Sequence, residues 1–374
     1  MRNWAVVDLD AIHHNYQAIR ARAGGRPVLA VVKTDAYGHG APRIGRFLQR
    51  KGCERLAVAT AEEALALRDA GSRVPIQMLA CVPPSDYGRV IGEDFIFTIG
   101  SAYEADTLAD IAKEAGSRET VHIEIDTGMG RSGCRPDDAP ALVERIQSRH
   151  ELVLEGAMTH FPSADDALDP AGVEYAREQL RRFGPIAKLL RSAGIRDPIL
   201  HAANSAGVAC IAESHLSIVR PGGALYGISA GPNTPTMLDL RPALSWRAVV
   251  VQVRDFLQGQ TVGYGRSYVV KKPMRVATIA AGYGDGYARA YGPGGTVIAA
   301  GRRAAIVGRV SMDSTCIDVT DMPAVATGDE VTLIGTDGGE TISPLELAQR
   351  AECSPYEVTC RMTARVPRVY LESD

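Results

Sequence analysis

Lys33 ends an apolar run, and within seven residues the chain adds an aspartate, a tyrosine, a histidine and two glycines ("VVKTDAYGHG", 31–40). A lone amine at such a point has two uses. It carries its charge to water at the end of a buried strand, or it attacks a carbonyl carbon to form a Schiff base. Other chemically able residues close similar runs: Arg131 beyond "TVHIEID", His160 at the end of "LVLEGAMTH", and Asn204 and Ser205 at the end of "PILHAAN". Arg220, Gly222 and Gly223 lie in and just after "LSIVRPG". Each has an ordinary structural use when taken singly, as a solvated cation, a hydrogen-bonded strand end or a turn. Their recurrence at one kind of position carries the functional signal.

The elements that hold them are eight apolar runs, each leading into a longer segment with helical spacing: 28–33, 55–60, 75–79, 96–100, 120–126, 152–160, 198–204 and 216–222. Between them "SAYEADTLADIAKEAG" (101–116) reads as a helix with Ser101 as N-cap, Glu104 completing a capping box and Gly116 at the stop. Continuous apolar strands in strict alternation with helices predict a parallel sheet, and eight such units predict a (β/α)8 TIM barrel. An open doubly wound sheet would be favoured by a G-x-G-x-x-G turn after the first strand, and none is present. From about residue 240 shorter alternating runs ("SWRAVVVQV", "MRVATIAA", "AAIVGRV", "STCIDV", "DEVTLIG") predict a mainly antiparallel β domain with one or two late helices near "ISPLELAQRA". The expected domains are therefore a barrel over 10–235 and a β domain over 236–374, with 1–9 a candidate to join the second. Asp10 is the expected N-cap of the helix that precedes the first barrel strand.

Barrel enzymes carry their chemistry at the C-terminal ends of the strands, where all the residues named above would converge. The loops after the seventh and eighth strands commonly hold a phosphate, and Ser205 opens a helical segment whose N-terminus would add backbone donors. A lysine opposite a phosphate site suggests a Schiff base to pyridoxal 5'-phosphate.

The stretches "AVVKTDAYGHG", "IDTGMGRSG", "THFPSADD", "HAANSAG", "VRPGGALYG", "VGYGRSYV", "AGYGDGYAR" and "VGRVSMDSTCIDV" resemble the successive signatures of bacterial alanine racemases, in the same order and over nearly the whole chain. The resemblance implies a homodimeric enzyme in which Lys33 holds pyridoxal 5'-phosphate and serves as one base. Tyr283, in the β domain of the partner subunit, would be the other. Tyr37, Ser205, Gly222 and Gly223 would hold the phosphate, with Asn204 and Tyr226 also in the cofactor-binding set. Arg220 would donate to the pyridine nitrogen, and His160 would sit between Arg220 and Tyr283. Arg131 and the backbone of Met312 would take the substrate carboxylate, with Asp313 beside them. The role implied is interconversion of L- and D-alanine, for peptidoglycan or for alanine breakdown.

The chemistry agrees with these residue types. Racemisation removes a weakly acidic Cα proton from one face and returns a proton to the other, so one base on each side is the minimal arrangement. Guanidinium stays protonated, so an arginine at the pyridine nitrogen leaves that nitrogen an acceptor and disfavours transamination. A tyrosine with its usual pKa of ~10 is a weak base near neutrality, and a cation acting through His160 should lower it.

Two positions depart from the pattern. Some relatives carry, seven residues before the arginine, a lysine whose carbamate bonds that arginine, whereas this chain has Glu124, which reads as a built-in carboxylate orienting Arg131. An inward-pointing glutamate paired with another cation is the alternative. Ala364 stands where several relatives have a tyrosine that contacts phosphate and narrows the pocket. That substitution keeps a broader-specificity or serine racemase in view. A decarboxylase of the same architecture would be expected to show a Gly-Gly-Gly phosphate loop and a late Cys-Asp pair, and neither is found. A non-catalytic pyridoxal phosphate carrier would not need Tyr283.

Composition agrees with a soluble cytoplasmic enzyme. The 374 residues carry a net charge of −3, which gives no electrostatic case for nucleic acid or an anionic membrane. No apolar stretch nears a membrane-spanning length. The seven cysteines are odd in number and never form C-x-x-C pairs, so neither a disulfide framework nor a metal site is expected.

Overall fold

The computed structural model describes residues 1–80, 82–163, 170–229 and 238–373. The chain divides into two compact units, residues 13–240 and residues 1–12 with 241–374. The expected boundary at 235/236 lies outside the described residues, as does the end of "THFPSADD".

In chain order β1 (Asn3–Asp8) and α1 (Leu9–Arg22) precede the strands of the larger unit. Asp8, not Asp10, caps α1: its Oδ1 accepts from the Ala11 N–H at 2.9 Å, because the helix starts at Leu9, two residues earlier than its apolar pattern suggests. Seven parallel strands then pair in sequence order: β2 (Leu29–Val31), β3 (Arg55–Val58), β4 (Ile76–Met78), β5 (Phe95–Ile99), β6 (Glu119–Glu124), β7 (Leu152–Met158) and β8 (Ile199–His201). Between them run α2 (Lys33–Gly38), α3 (Ala41–Arg50), α4 (Ala61–Asp69), α5 (Pro84–Val90), α6 (Ala102–Ala115), α7 (Ala139–Gln147) and α8 (Pro170–Ser192), and α9 (Ser205–Cys210) follows β8. All five residues of β5 are buried, as a strand covered on both faces requires.

The expected eighth strand is irregular, yet it joins the two edges of the sheet. On one side Ser217 N–H donates to Leu200 O and Arg220 N–H to Ala203 O; on the other Leu29 N–H donates to Val219 O and Val31 N–H to Pro221 O. A single parallel bridge, Val28 to Val219, is all that regular pairing retains there, since Pro221 and the glycines beyond it cannot continue a ladder. In α6 Ser101 accepts from Glu104 N–H at 3.2 Å and Gly116 closes the helix at φ 67°. The Glu104 carboxylate reaches the Gly100 N–H rather than that of Ser101, a one-residue departure from the expected capping box.

The smaller unit contains β9 (Leu244–Phe256), β10 (Thr261–Val262), β11 (Tyr268–Val269), β12 (Met274–Ile279), β13 (Thr296–Ala299), β14 (Arg302–Ala305), β15 (Thr315–Asp318), β16 (Glu330–Asp337), β17 (Glu340–Ile342) and β18 (Arg368–Leu371). Its helices are α10 (Pro344–Ala351) and α11 (Pro355–Cys360). β9 is its axis, pairing antiparallel with β1, β12 and β16, while β1 pairs parallel with β18. The first half of β9 alternates buried and half-buried residues, the period-two signature of a strand with one covered face. Residues 1–8 thus belong to the β unit.

Candidate active site

Lys33 follows β2 by one residue and opens α2, whose next four residues wind left-handed: Thr34, Asp35, Ala36 and Tyr37 all have φ between 53° and 55°. For L-residues such a turn costs roughly 1–2 kcal/mol per residue, so surrounding contacts must hold it. They do. Asp35 Oδ1 accepts from Ala41 N–H at 2.8 Å, His39 Nδ1 is 3.0 Å from both Ala36 O and Tyr37 O, and the Glu63 carboxylate accepts from Thr34 N–H. The result brings the Tyr37 hydroxyl against Gly222, where a Cβ would collide with it. Tyr226, fully buried, packs its ring 5.2 Å from that of Tyr37 and donates its hydroxyl to Val31 O at 2.9 Å, backing Tyr37 from the barrel side.

At the ends of β8 and the seam segment, Ser205 Oγ accepts from Gly222 N–H at 3.0 Å and from Ala224 N–H at 3.2 Å. Ser205 opens α9, as expected, and Asn204 caps it, accepting from Gly207 N–H at 2.9 Å and donating to Phe161 O. Gly223 continues the same turn into a short 3-10 helix.

Arg220 is buried and donates to His201 Nδ1 at 2.9 Å, to Thr159 O at 2.8 Å and to Ala202 O; His160 Nδ1 lies 3.3 Å from its Nη2. Burial pulls its pKa down to about 10, which leaves it cationic at neutral pH. The imidazole of His160 is pushed to about 3 by burial first and then by the charges of Arg220, Arg131 and Lys33, and is neutral.

Behind Arg220 the barrel interior carries a polar file. His201 Nε2 is 2.7 Å from His122 Nδ1, His122 Nε2 is 2.9 Å from Glu155 Oε2, and Arg55 grips Glu155 with two bonds of 2.7 and 2.9 Å. Because Arg220 can only donate, His201 Nδ1 must accept; His201 then donates from Nε2, and His122 in turn donates to the carboxylate. Burial lowers the pKa of both histidines, in keeping with this neutral, one-directional chain. Burial alone would push the Glu155 carboxyl up, but the hydrogen bonds from Arg55 and His122 hold it at about 2.

Glu124 ends β6 and is buried, with its Cγ packed 2.9 Å from where a Cβ on Gly133 would lie. Burial raises its pKa, opposed by a hydrogen bond from Ser132 and by the charges of Arg131 and Arg220. The carboxylate thus meets Ser132 directly and Arg131 as a nearby charge; Arg131 itself is exposed.

In the β unit, Tyr283 opens a 3-10 turn (Tyr283–Asp285) and is 40 % exposed, and Met312 is 52 % exposed. Tyr283 N–H donates to Ser311 O at 3.0 Å and Gly284 N–H to Met312 O at 2.8 Å, so Tyr283, Met312 and Asp313 share one surface.

This pairing of a lysine-bearing parallel unit with a β unit carrying an exposed tyrosine matches two family models, "Alanine racemase, N-terminal domain" over residues 7–230 and "Alanine racemase, C-terminal domain" over 243–370. The chain belongs to the alanine racemase family. A curated alanine racemase of Halothermothrix orenii is 39% identical over 368 residues, spanning 98% of this chain and 96% of the relative. One from Methanococcus maripaludis is 36% identical and spans 98% of each chain. The crystal structure of alanine racemase from D-cycloserine producing Streptomyces lavendulae has a TM-score of 0.92 at 34% identity, covering 100% of this chain and 98% of that one. That of alanine racemase from Bacillus anthracis with bound L-Ala-P also reaches 0.92 at 34% identity, covering 99% and 95%. Among the described residues no helix is long and apolar enough to cross a membrane.

The file of Arg55, Glu155, His122 and His201 escapes a reading of this alanine racemase sequence that looks only at strand ends. Its signal was a charged or imidazole residue at the start (Arg55) or in the middle (His122, Glu155, His201) of otherwise apolar runs, where a buried polar side chain must have a partner. Together with His160 beside Arg220, it has a consequence for acid stability. His160, near 3 in the fold, is near 6.5 when unfolded, so between those values the unfolded chain binds a proton that the fold does not. Stability should therefore fall as pH drops below ~6.5, by ~1.4 kcal/mol per pH unit for each histidine held neutral. Glu155 is depressed in the fold, so its contribution is present above the ordinary glutamate pKa and is lost as pH falls toward about 2. Thermal unfolding followed from pH 7 to pH 4 should show a Tm that declines from the start of that range; a flat Tm down to pH 5 would contradict neutral buried histidines.

Proposed function

We propose that the chain is a homodimeric, pyridoxal 5'-phosphate-dependent amino-acid racemase that interconverts L- and D-alanine by two-base proton transfer at Cα. The observation that carries the reading is the gathering of Lys33, Tyr37, Arg220, Ser205 and Gly222 at one end of the barrel strands within a chain of this family.

The residues fit the cofactor. Ser205 Oγ and the Gly222 and Ala224 amides converge on one point, and the Gly222 backbone lies where any Cβ would strike Tyr37, the crowding expected of a phosphate cradle. Gly223 continues that cradle and Asn204 and Tyr226 brace it. When bound, the cofactor's conjugated ring takes up the electron pair left at Cα. Lys33 holds it covalently and moves a proton at one face of the substrate carbon. Tyr283 of the partner subunit moves the proton at the other face. The His201–His122–Glu155 file fixes the orientation of Arg220, which, cationic and donor-only, would donate to the ring nitrogen of a bound cofactor and leave that nitrogen an acceptor. His160, neutral beside Arg220, conveys the guanidinium field toward Tyr283. Arg131 and the Met312 backbone hold the substrate carboxylate, with Asp313 beside them.

Glu124 is the residue that biases Arg131. Its Glu124→Gln variant should raise KM for the amino acid several-fold while pyridoxal phosphate binding is unchanged, because Arg131 loses its neighbouring charge whereas Arg220, which also feels that charge, stays held by His201 and Thr159. Steady-state kinetics beside a cofactor titration check this, and an unchanged KM would return Glu124 to a structural role.

Ala364, exposed on a turn of the β unit, favours a second reading with a pocket that admits serine. Incubating the pyridoxal phosphate-loaded protein separately with L-alanine, L-serine and L-lysine, followed by chiral analysis, tests both. D-alanine formed fastest supports the first reading and D-serine formed fastest the second; released CO2 without D-product would overturn racemisation.

A further inference from the structure

The β unit carries a second ionic construction that the reaction described above does not use. Asp285, two residues after Tyr283, is wholly buried, and three donors meet its carboxylate. The Gly282 N–H donates to Oδ2 at 3.0 Å, Arg2 Nη1 lies 2.8 Å from Oδ1, and Arg365 Nε lies 3.4 Å from the same oxygen. Both arginines reach on to the neighbouring loop. Arg2 Nη2 donates to the Asp313 carbonyl, and Arg365 Nη2 bonds the Asp313 carboxylate at 2.6 Å. The two segments they join, 282–285 and 311–313, are already laced by backbone bonds from Tyr283 to Ser311 and from Gly284 to Met312. Gly282 and Gly284 allow that approach: a Cβ on either would collide with Met312 O, Ser311 O or the Arg365 guanidinium.

We propose that Arg2 and Arg365 are positioning residues of the racemase reaction, a two-armed clamp that grips buried Asp285 from outside and holds the Tyr283 turn and the Met312 loop as one rigid block. The inference rests on the reading of Tyr283 as a base and of the Met312 backbone as a carboxylate contact. It deepens that reading by naming what fixes their separation. Neither turn is regular sheet, and Tyr283 and Met312 are themselves exposed, so side-chain packing holds neither residue in place. A forked guanidinium bonded to two loops at once adds a side-chain constraint to the two backbone bonds, and lysine, a point charge, cannot span both contacts in one geometry. Arg2 is the more informative arm, since it stands just ahead of β1 and is remote in sequence from both loops.

The experiment uses the loaded enzyme and its Arg2→Ala, Arg2→Lys and Arg365→Ala variants, with Tyr283→Phe as a control. Hydrogen exchange should show amides of 282–286 and 311–314 losing at least ~10-fold in protection in Arg2→Ala, whereas β5 and β7 keep theirs. The kcat should fall ~10- to 100-fold with KM changed far less, as misplacing a reacting group predicts, and Arg2→Lys should recover part of the loss. The isotope effect of a Cα deuterium should rise for one hand of the substrate and not the other, as displacement of one base of two predicts. Unaltered exchange in 282–286 with unaltered kcat in Arg2→Ala, or a loss of Tm alone with both intact, overturns the clamp. If the alanine variant does not fold, Arg2→Lys decides by the same readings. A fully active Tyr283→Phe would sink the role of the base instead, and is read without reference to Arg2.

Discussion

Chains carrying Lys33→Ala and chains carrying Tyr283→Phe, each inactive alone, should recover about a quarter of wild-type activity when equal amounts are mixed and allowed to exchange subunits. The expectation follows from the proposal that each site takes Lys33 from one chain and Tyr283 from the other. In a mixed two-fold dimer one site combines both lesions and the other neither. Random re-pairing makes half the dimers mixed, and each of those has one intact site of two. Tagged chains, separated by affinity after mixing, verify that exchange took place. Zero activity in verified mixed dimers would rule out the in-trans placement of Tyr283, and leave its role in the same chain to be tested.

The single substitution with the largest expected effect is Lys33→Ala. It should remove all cofactor that borohydride reduction can fix to the protein and lower turnover at least a thousandfold, since general-base catalysis alone contributes ~10²–10⁴. The fold should survive, because Lys33 is only half-buried and the left-handed turn behind it is held by Asp35, His39 and Glu63. Peptide mapping after reduction would locate any remaining adduct. A variant that still carried reducible pyridoxal phosphate would show that another amine serves the site.

Much of this was legible in the residues. Seven of the eight apolar runs became strands because a continuous run of Val, Ile, Leu and Ala can be buried on both faces only in a parallel sheet. Lys33, Ser205, Arg220 and Gly222 could be assigned to one end of those strands because each closes such a run. The left-handed turn was not legible: Thr34, Asp35, Ala36 and Tyr37 include no glycine, and nothing local favours positive φ. Tertiary hydrogen bonds impose it. The histidine file was hidden for a related reason, since Glu155 and His122 look like polar interruptions until the barrel brings Arg55 and His201 to them. Nothing local singles out Asp285, and only tertiary structure brings Arg2 and Arg365, hundreds and tens of residues away, to its carboxylate.

The irregular segment that joins β8 to β2 gives the barrel wall a join of a different kind from its six regular strand pairings. Its hydrogen bonds to Leu200, Ala203, Leu29 and Val31 come from a stretch with a proline and two glycines, and Ser205 fastens that stretch through the Gly222 and Ala224 amides. An anion bridging Ser205 and those amides would therefore brace the last step of closing the wall. Ligand binding and completion of the domain become thermodynamically linked, with a gain of ~2.7 kcal/mol at a ligand concentration a hundred times Kd. On the proposed reading, protein lacking its cofactor would open first along this one line, and cofactor supply would then set how long the protein persists as well as whether it turns over.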